Sequence, residues 1–299
     1  MARGDIARLG ASTPVPRAPY LVVFLTFARN SLVRNMMFRA NFIIECLSSI
    51  TWTMMNLGFY LLIFHYTPSI GAGTGWGKWE FFAFLATTML VNSLVQAFFM
   101  PNCEEISELI RTGGLDFALL KPIDTQFLIS LEKVDWSSLA NFLAGLVLLL
   151  VSLFHMTTRP EQPLILTPIT LMLYVFYVLC GVAILYSLMI SLSATSIWLG
   201  QNRSLYDFWF YITNFSRYPM EIYHGPLGTP LQWFCTFIIP VLIVVNVPAR
   251  IIARPLGEDG NPILVWPLAL FALFATAGSL VMSRWVFQAS LRSYRSASS

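Results

Sequence analysis

Few residues in this chain have the types and spacing for chemistry, and the candidates fail one by one. GAGTGWGK, residues 71–78, approaches the phosphate-loop pattern G-x-x-x-x-G-K-[ST], in which backbone N–H groups cradle phosphate and a hydroxyl holds magnesium. Ala72 stands where the first glycine is needed and Trp79 where the hydroxyl is needed, and the stretch joins two apolar runs instead of a strand and a helix. It is expected to be an interfacial turn that presents Trp76 and Trp79 at the surface and binds no ATP. His65, His155 and His224 each end an apolar run without an accompanying carboxylate. Ordinary interfacial placement is the first reading for them, and a metal or proton site the alternative. Cys46, Cys103, Cys180 and Cys235 are widely separated, with no C-x-x-C spacing, which argues against both a zinc site and a disulfide framework. Neither G-x-S-x-G nor H-E-x-x-H occurs. The chain is expected to be non-catalytic, to hold no metal or cofactor of its own, and to bind no nucleic acid.

What remains is one polar stretch, Pro101 to Asp135, with seven acids and three basic residues, a net charge of −4. Each ionised side chain costs about 2.5 to 3.5 kcal/mol at the centre of a bilayer, so this stretch belongs in water. Glu104, Glu105 and Glu108 accompany Ile106, Leu109 and Ile110 at helical spacing, and Gly113-Gly114 then ends the pattern. Leu115 to Leu120 forms a second apolar turn, closed at Lys121-Pro122 because a residue before proline is pushed out of the helical region. Two readings stay open: a solvated loop lying on the membrane, or a docking element for a soluble partner.

The elements that position this stretch are membrane spans. Of 299 residues, 57% are hydrophobic and 11% charged, with a mean hydropathy of +0.68. Soluble domains run near a quarter charged. Residues 1–18 read as a basic tail without a cleavable signal peptide. Pro19 to Arg39 reads as an amphipathic helix in the headgroup plane, with Leu21, Val22, Leu25, Leu32, Val33, Met36 and Met37 on one side and arginines facing anionic lipid; the alternative is the start of the first span. Spans are expected over Phe42 to Phe64, Phe81 to Met100, Leu139 to His155, Pro168 to about Ser193, and Leu264 to Val286, each near the 20 residues that cross about 30 Å of hydrocarbon. Glu45 either snorkels toward water or pairs with an arginine of another helix. Asn92 and Gln96, with the small residues Gly181, Ala183, Ser187, Ser191 and Ala194, are read as helix-packing positions. One further span is either Leu205 to Met220 or Leu231 to Val247, the latter cut by Pro240.

With six spans, thirteen basic residues fall on the side of the termini and the polar stretch, against Lys78, Arg159, Arg217, Arg250 and Arg254 on the other. That asymmetry predicts cytoplasmic termini and a cytoplasmic polar stretch. No acid lies near mid-membrane for a proton- or sodium-coupled carrier, so energy must come from another chain or the protein is not a pump.

Ile110-Arg111-Thr112-Gly113-Gly114-Leu115-Asp116, followed by Leu119-Leu120-Lys121-Pro122, resembles the cytoplasmic motif of bacterial ABC type-2 exporter permeases of the small six-span branch. Asn214-Phe215-Ser216-Arg217-Tyr218-Pro219, then Ile239-Pro240 and Pro248-Ala249, resembles that branch's segment between the fifth and sixth spans. The resemblance runs from about Pro19 to Tyr294. It implies an all-α membrane protein with one permease domain over residues 19–290 and a cytoplasmic tail over 291–299. Pro19 to Arg39 becomes a connector helix and Leu205 to Met220 the fifth span. Pro226 to Arg254 becomes an outer re-entrant hairpin, with Tyr218, Pro219, Pro240 and Pro248 at the gate. The coupling helix would lie within Pro101 to Pro122 and insert into a separate ABC ATP-binding subunit, which carries ATP and Mg. Ile106, Leu109 and Ile110 would anchor it, and Arg111 and Asp116 would pair with each other or with charges on the ATPase. A second permease copy and the inner-membrane lipid complete the expected partners. The reading from another class is an ATP-independent scaffold whose acidic loop recruits a soluble protein.

Overall fold

The computed structural model describes residues 19–70, 76–160, 163–199, 210–253 and 262–294. The basic tail, the glycine-rich part of the 71–78 turn and the start of the expected fifth span lie outside the described residues. Helix α1 (Tyr20–Met37) meets α2 (Arg39–Tyr66) at a single non-helical residue, Phe38. Then follow α3 (Lys78–Phe98), α4 (Met100–Arg111), α5 (Gly114–Leu119), α6 (Thr125–Leu131), α7 (Leu139–Thr157) and α8 (Pro168–Leu199). The remainder is α9 (Gly228–Trp233), which runs into a π turn at Phe234–Ile238, then α10 (Leu242–Ala253) and α11 (Pro262–Ser293). Five helical stretches are long and apolar enough to cross a membrane, and a sixth counts if the α9–α10 pair, bent by 90°, is one broken span.

The core is built around α3, α8 and α10. Every residue of α10 is buried, as are twelve of the 21 in α3, so both read as near-continuous apolar runs without an outward polar face. Small residues set the spacing. A Cβ on Gly145 of α7 would lie 3.0 Å from the Met89 Cβ of α3, and one on Gly181 of α8 would lie 2.7 Å from the Val244 carbonyl oxygen of α10. Pro248 has no N–H to offer that carbonyl four residues back, so the bare backbone of α8 packs where the α10 ladder is interrupted. Gly181, Ser187 and Ala194 are buried, as expected of packing positions. Asn92 and Gln96 make no interhelical hydrogen bond among the described residues. That role falls to Thr87, which shares a hydrogen bond with the Tyr174 hydroxyl (3.0 Å), and to Tyr177, which donates to the Ala269 carbonyl (3.1 Å).

Helix α2 stands apart. It has no buried residue and touches α1, α7, partly through a Thr53 to Asn141 hydrogen bond of 3.1 Å, and the start of α3, where Tyr60 and Phe64 meet Phe81 and Phe82.

Four expectations change. Trp76 is fully buried against Phe84, because the Ser69–Gly77 bridge folds the turn back onto the bundle, and Trp79 stacks on His155 at 4.0 Å. The expected fifth span ends early. Its described part is helical over 210–214, tightens through Phe215–Arg217 and is extended at Tyr218, where the following Pro219 forbids helix. Arg250, counted among the outer basic residues and placed in the expected re-entrant hairpin, is not a free surface charge but is buried and paired with Glu221 at 2.7 Å. The last helix continues through Ser293, beyond the 290 boundary, with Ser290 fully buried.

Candidate functional site

The polar stretch is helical for most of its length, not a loop. Helix α3 passes into α4 across Phe99 alone, and Pro101 sits in the first turn, where a missing N–H is tolerated. Proline there leaves the Ala97 carbonyl without its helical donor, and the Asp135 N–H takes it at 2.8 Å. One turn on, the buried Asn102 amide donates to the Lys133 carbonyl (2.7 Å) and accepts from the Lys133 N–H (2.8 Å). The Lys133 ammonium pairs with Glu105. The chain leaving the polar stretch is thus stitched back onto α4.

The same segment holds α1. The Val134 N–H donates to the hydroxyl of Ser31, the one buried residue of α1, at 3.1 Å, and the Trp136 indole donates to the Ala28 carbonyl at 3.2 Å. The apolar side of α1 expected to face lipid, including Leu21, Leu25 and Met36, is exposed, and Phe27 packs toward the core.

Beyond α4 the chain turns at Gly113, whose φ of 73° is left-handed, a conformation that favours glycine at a helix C-terminus. Gly114 is less constrained, since an added Cβ would meet only the flexible end of Leu109 at 3.0 Å. Arg111 pairs with Glu108 three residues back (2.5 Å), on the exposed side of α4. Helix α5 buries Leu115 and Ala118, exposes Phe117 (72%) and leaves Asp116 half-buried, and Leu120 at its C-cap (81%), Lys121 and Pro122 are exposed after it.

The predicted apolar anchor therefore divides. Ile106 is 1% exposed inside this chain's own core, Ile110 packs against that core, and Leu109 is half-buried. The open apolar surface belongs to Phe117 and Leu120, which sequence periodicity had not separated from their neighbours. Glu104 and Glu108 of α4 are exposed.

Helix α6 follows, capped by Asp124, which accepts from the Phe127 N–H at 3.0 Å. Asp124 also holds Arg284 of α11 through both carboxylate oxygens, and Arg284 donates to Gln126 at 3.0 Å. The Arg284 hydrogen bond holds the Asp124 carboxyl below its usual range, aided by the Phe127 and Gln126 N–H groups and opposed by burial. Gln126 donates in turn to the Tyr186 hydroxyl of α8 (3.0 Å), which shares another hydrogen bond with Ser130 (3.0 Å). These contacts tie α6 to α8 and α11.

In the bent hairpin, Pro240 lies between the π turn and α10, while Pro248 is inside α10. Tyr218 is exposed and Pro219 buried. Asn246, fully buried, accepts from the Met220 N–H at 2.8 Å, and Arg250 holds Glu221, so the 218–222 segment is clamped to α10. His65 lies against Tyr66 and His224 is exposed. Among the described residues no three His, Cys, Asp or Glu side chains gather as metal ligands.

No curated protein and no solved structure matches the chain. The sequence profile of a family described as "ABC-2 family transporter protein" matches residues 50–298, from the middle of α2 through α11, with the polar segment and the bent hairpin inside the matched region. On that match the chain is a multi-pass membrane protein of the ABC-2 transporter family.

Proposed function

We propose that this chain is the permease subunit of an ATP-driven exporter, which catalyses nothing itself and works with a separate ABC ATP-binding subunit that carries ATP and Mg. Two permease copies form the path between them, α4 to α6 face the cytoplasm of the inner membrane, and the α9–α10 hairpin closes the outer side. The observation that carries this reading is the exposed Phe117–Leu120 surface, held on a short helix that α4, the Lys133–Asp135 stitch and the Asp124–Arg284 pair fix to the bundle. A rigid apolar helix face is what a groove on a partner requires, and a net charge of −4 between Pro101 and Asp135 favours a basic rim around that groove. An ATP-driven movement of the partner would then reach α8 and α11 through Tyr186 and Arg284.

The test is purification of the tagged chain in mild detergent after crosslinking, with identification of what copurifies. An ABC ATPase in about equal amount is expected. Recovery of other proteins alone would move the assignment to an ATP-independent scaffold. In the complex, Phe117→Asp with Leu120→Asp should weaken ATPase capture by about 10- to 100-fold, the loss typical of two anchor residues.

A further inference from the structure

Helix α1 leaves one strip of its surface uncovered. Leu21, Leu25, Leu32 and Met36 are exposed along it, with the exposed Arg29 in their midst at helical spacing. The helix ends one residue before α2, which is long and apolar enough to cross a membrane, so the elbow at Phe38 lies where the bilayer begins. From Tyr20 to Ile44 the chain carries Arg29, Arg34 and Arg39 and no acid. Arg34 borders Glu45, Glu104 and Asp135, whereas Arg29 and Arg39 are exposed and in no ion pair among the described residues. We propose that α1 rests on an anionic lipid surface and that the charge of this surface controls how firmly α1 holds the end of the polar segment.

Position and sign select the partner. An apolar strip at the membrane boundary settles against the acyl chains, and a guanidinium within it reaches the headgroup plane on its alkyl stem. Anionic headgroups attract each such arginine, and a zwitterionic surface does not supply that attraction. The link to the polar segment is geometric. On the protein-facing side of α1, the Ser31 hydroxyl accepts from the Val134 N–H at 3.1 Å, the Ala28 carbonyl accepts from the Trp136 indole at 3.2 Å, and the Tyr20 ring meets Phe127 of α6 at 4.8 Å. These contacts fix the rotation of α1, so docking on Val134 and Trp136 also turns Arg29 and its apolar neighbours away from the protein as a set. Ser31 is the one buried residue of the helix, which places α1 among the less firmly held elements, and a surface that binds the docked helix favours docking by mass action. Lys133 and Asp135 fasten the same segment to Asn102 of α4 and Ala97 of α3. That this control bears on an ATPase rests on the permease reading; the lipid response does not.

The experiment compares the full chain in nanodiscs of phosphatidylcholine alone and of phosphatidylcholine with one quarter phosphatidylglycerol, and reads amide hydrogen exchange residue by residue. The Val134 N–H, whose acceptor is on α1, is expected to exchange about five- to thirtyfold more slowly in the anionic discs, the effect of one or two arginines at such a surface. The Lys133 N–H, whose acceptor is on α4, is the internal reference and should change much less. Arg29→Gln with Arg39→Gln should abolish the difference between the discs, and Arg29→Lys with Arg39→Lys should keep most of it; the Lys133 reference reports any general misfolding of either variant. Equal Val134 exchange in the two discs, equal slowing of Val134 and Lys133, or a lipid dependence that survives the glutamine pair would each overturn the proposal. No ATPase is present in this measurement, so its failure leaves the permease reading standing, and failure to recover an ATPase leaves this result standing.

Discussion

Asn102 satisfies both backbone groups of Lys133 from a buried position. Asn102→Ala leaves two polar groups unpaired at about 1 to 3 kcal/mol each, and a thermal unfolding midpoint several degrees lower in detergent is the expected result. Asn102→Asp, which keeps only the acceptor, should fall between the two. Nothing in the sequence marks this residue, because its partner lies 31 positions away and the bond is to backbone. Ile106 teaches a related lesson. Helical spacing identifies it as one to be buried, but spacing does not say by what, and it is this chain's own core that covers it. Ile106→Asp should therefore prevent stable folding, whereas Phe117→Asp and Leu120→Asp should leave the melting midpoint unchanged and affect only partner capture. Equal destabilisation by all three would contradict the division between core and docking surface.

Gly113 and Gly181 show two different demands on glycine at the scale of elements. Gly113→Val forces a β-branched side chain into a left-handed conformation and costs about 1 to 2 kcal/mol, loosening α5 relative to α4. Gly181→Val instead drives a side chain into the Val244 carbonyl of α10. It is expected to lower the yield of folded protein from membranes, measured as the monodisperse fraction on size exclusion, with Gly278→Val as the control because open space surrounds that position. The helices themselves were legible: runs of about 20 apolar residues have few other outcomes, and α2, α3, α7, α8 and α11 begin and end within a few turns of expectation. The joints were not. The α3–α4 continuity depends on Asp135 replacing a donor that Pro101 lacks, and the buried hairpin depends on Glu221 neutralising Arg250. Both are contacts between segments distant in sequence, where hydropathy carries no information.

For the whole molecule, the charge asymmetry of the chain predicts a cytoplasmic α4–α6 segment, and the proposed permease reading puts the α9–α10 hairpin toward the outer side. In cells expressing a variant with Cys46 replaced, Leu227→Cys should react with a membrane-impermeant maleimide from outside, and Leu120→Cys only after the membrane is opened. Both side chains are more than four-fifths exposed, so access and not burial decides the result. The reverse labelling would invert the orientation and remove α5 from the compartment that holds ATP. Family membership was legible from the motif around Arg111 to Pro122, whereas the surface presented to a partner needed the fold. The most direct test of that surface is photocrosslinking in intact cells with a benzophenone amino acid at Leu120, the α5 C-cap, and, as a control two residues earlier, at the buried Ala118. Crosslinking from 120 and not from 118 to an ABC ATPase is the predicted result. Crosslinks from 120 to lipid or to proteins other than an ATPase, with the ATPase present in the cell, would contradict the assignment of α5 as the docking helix.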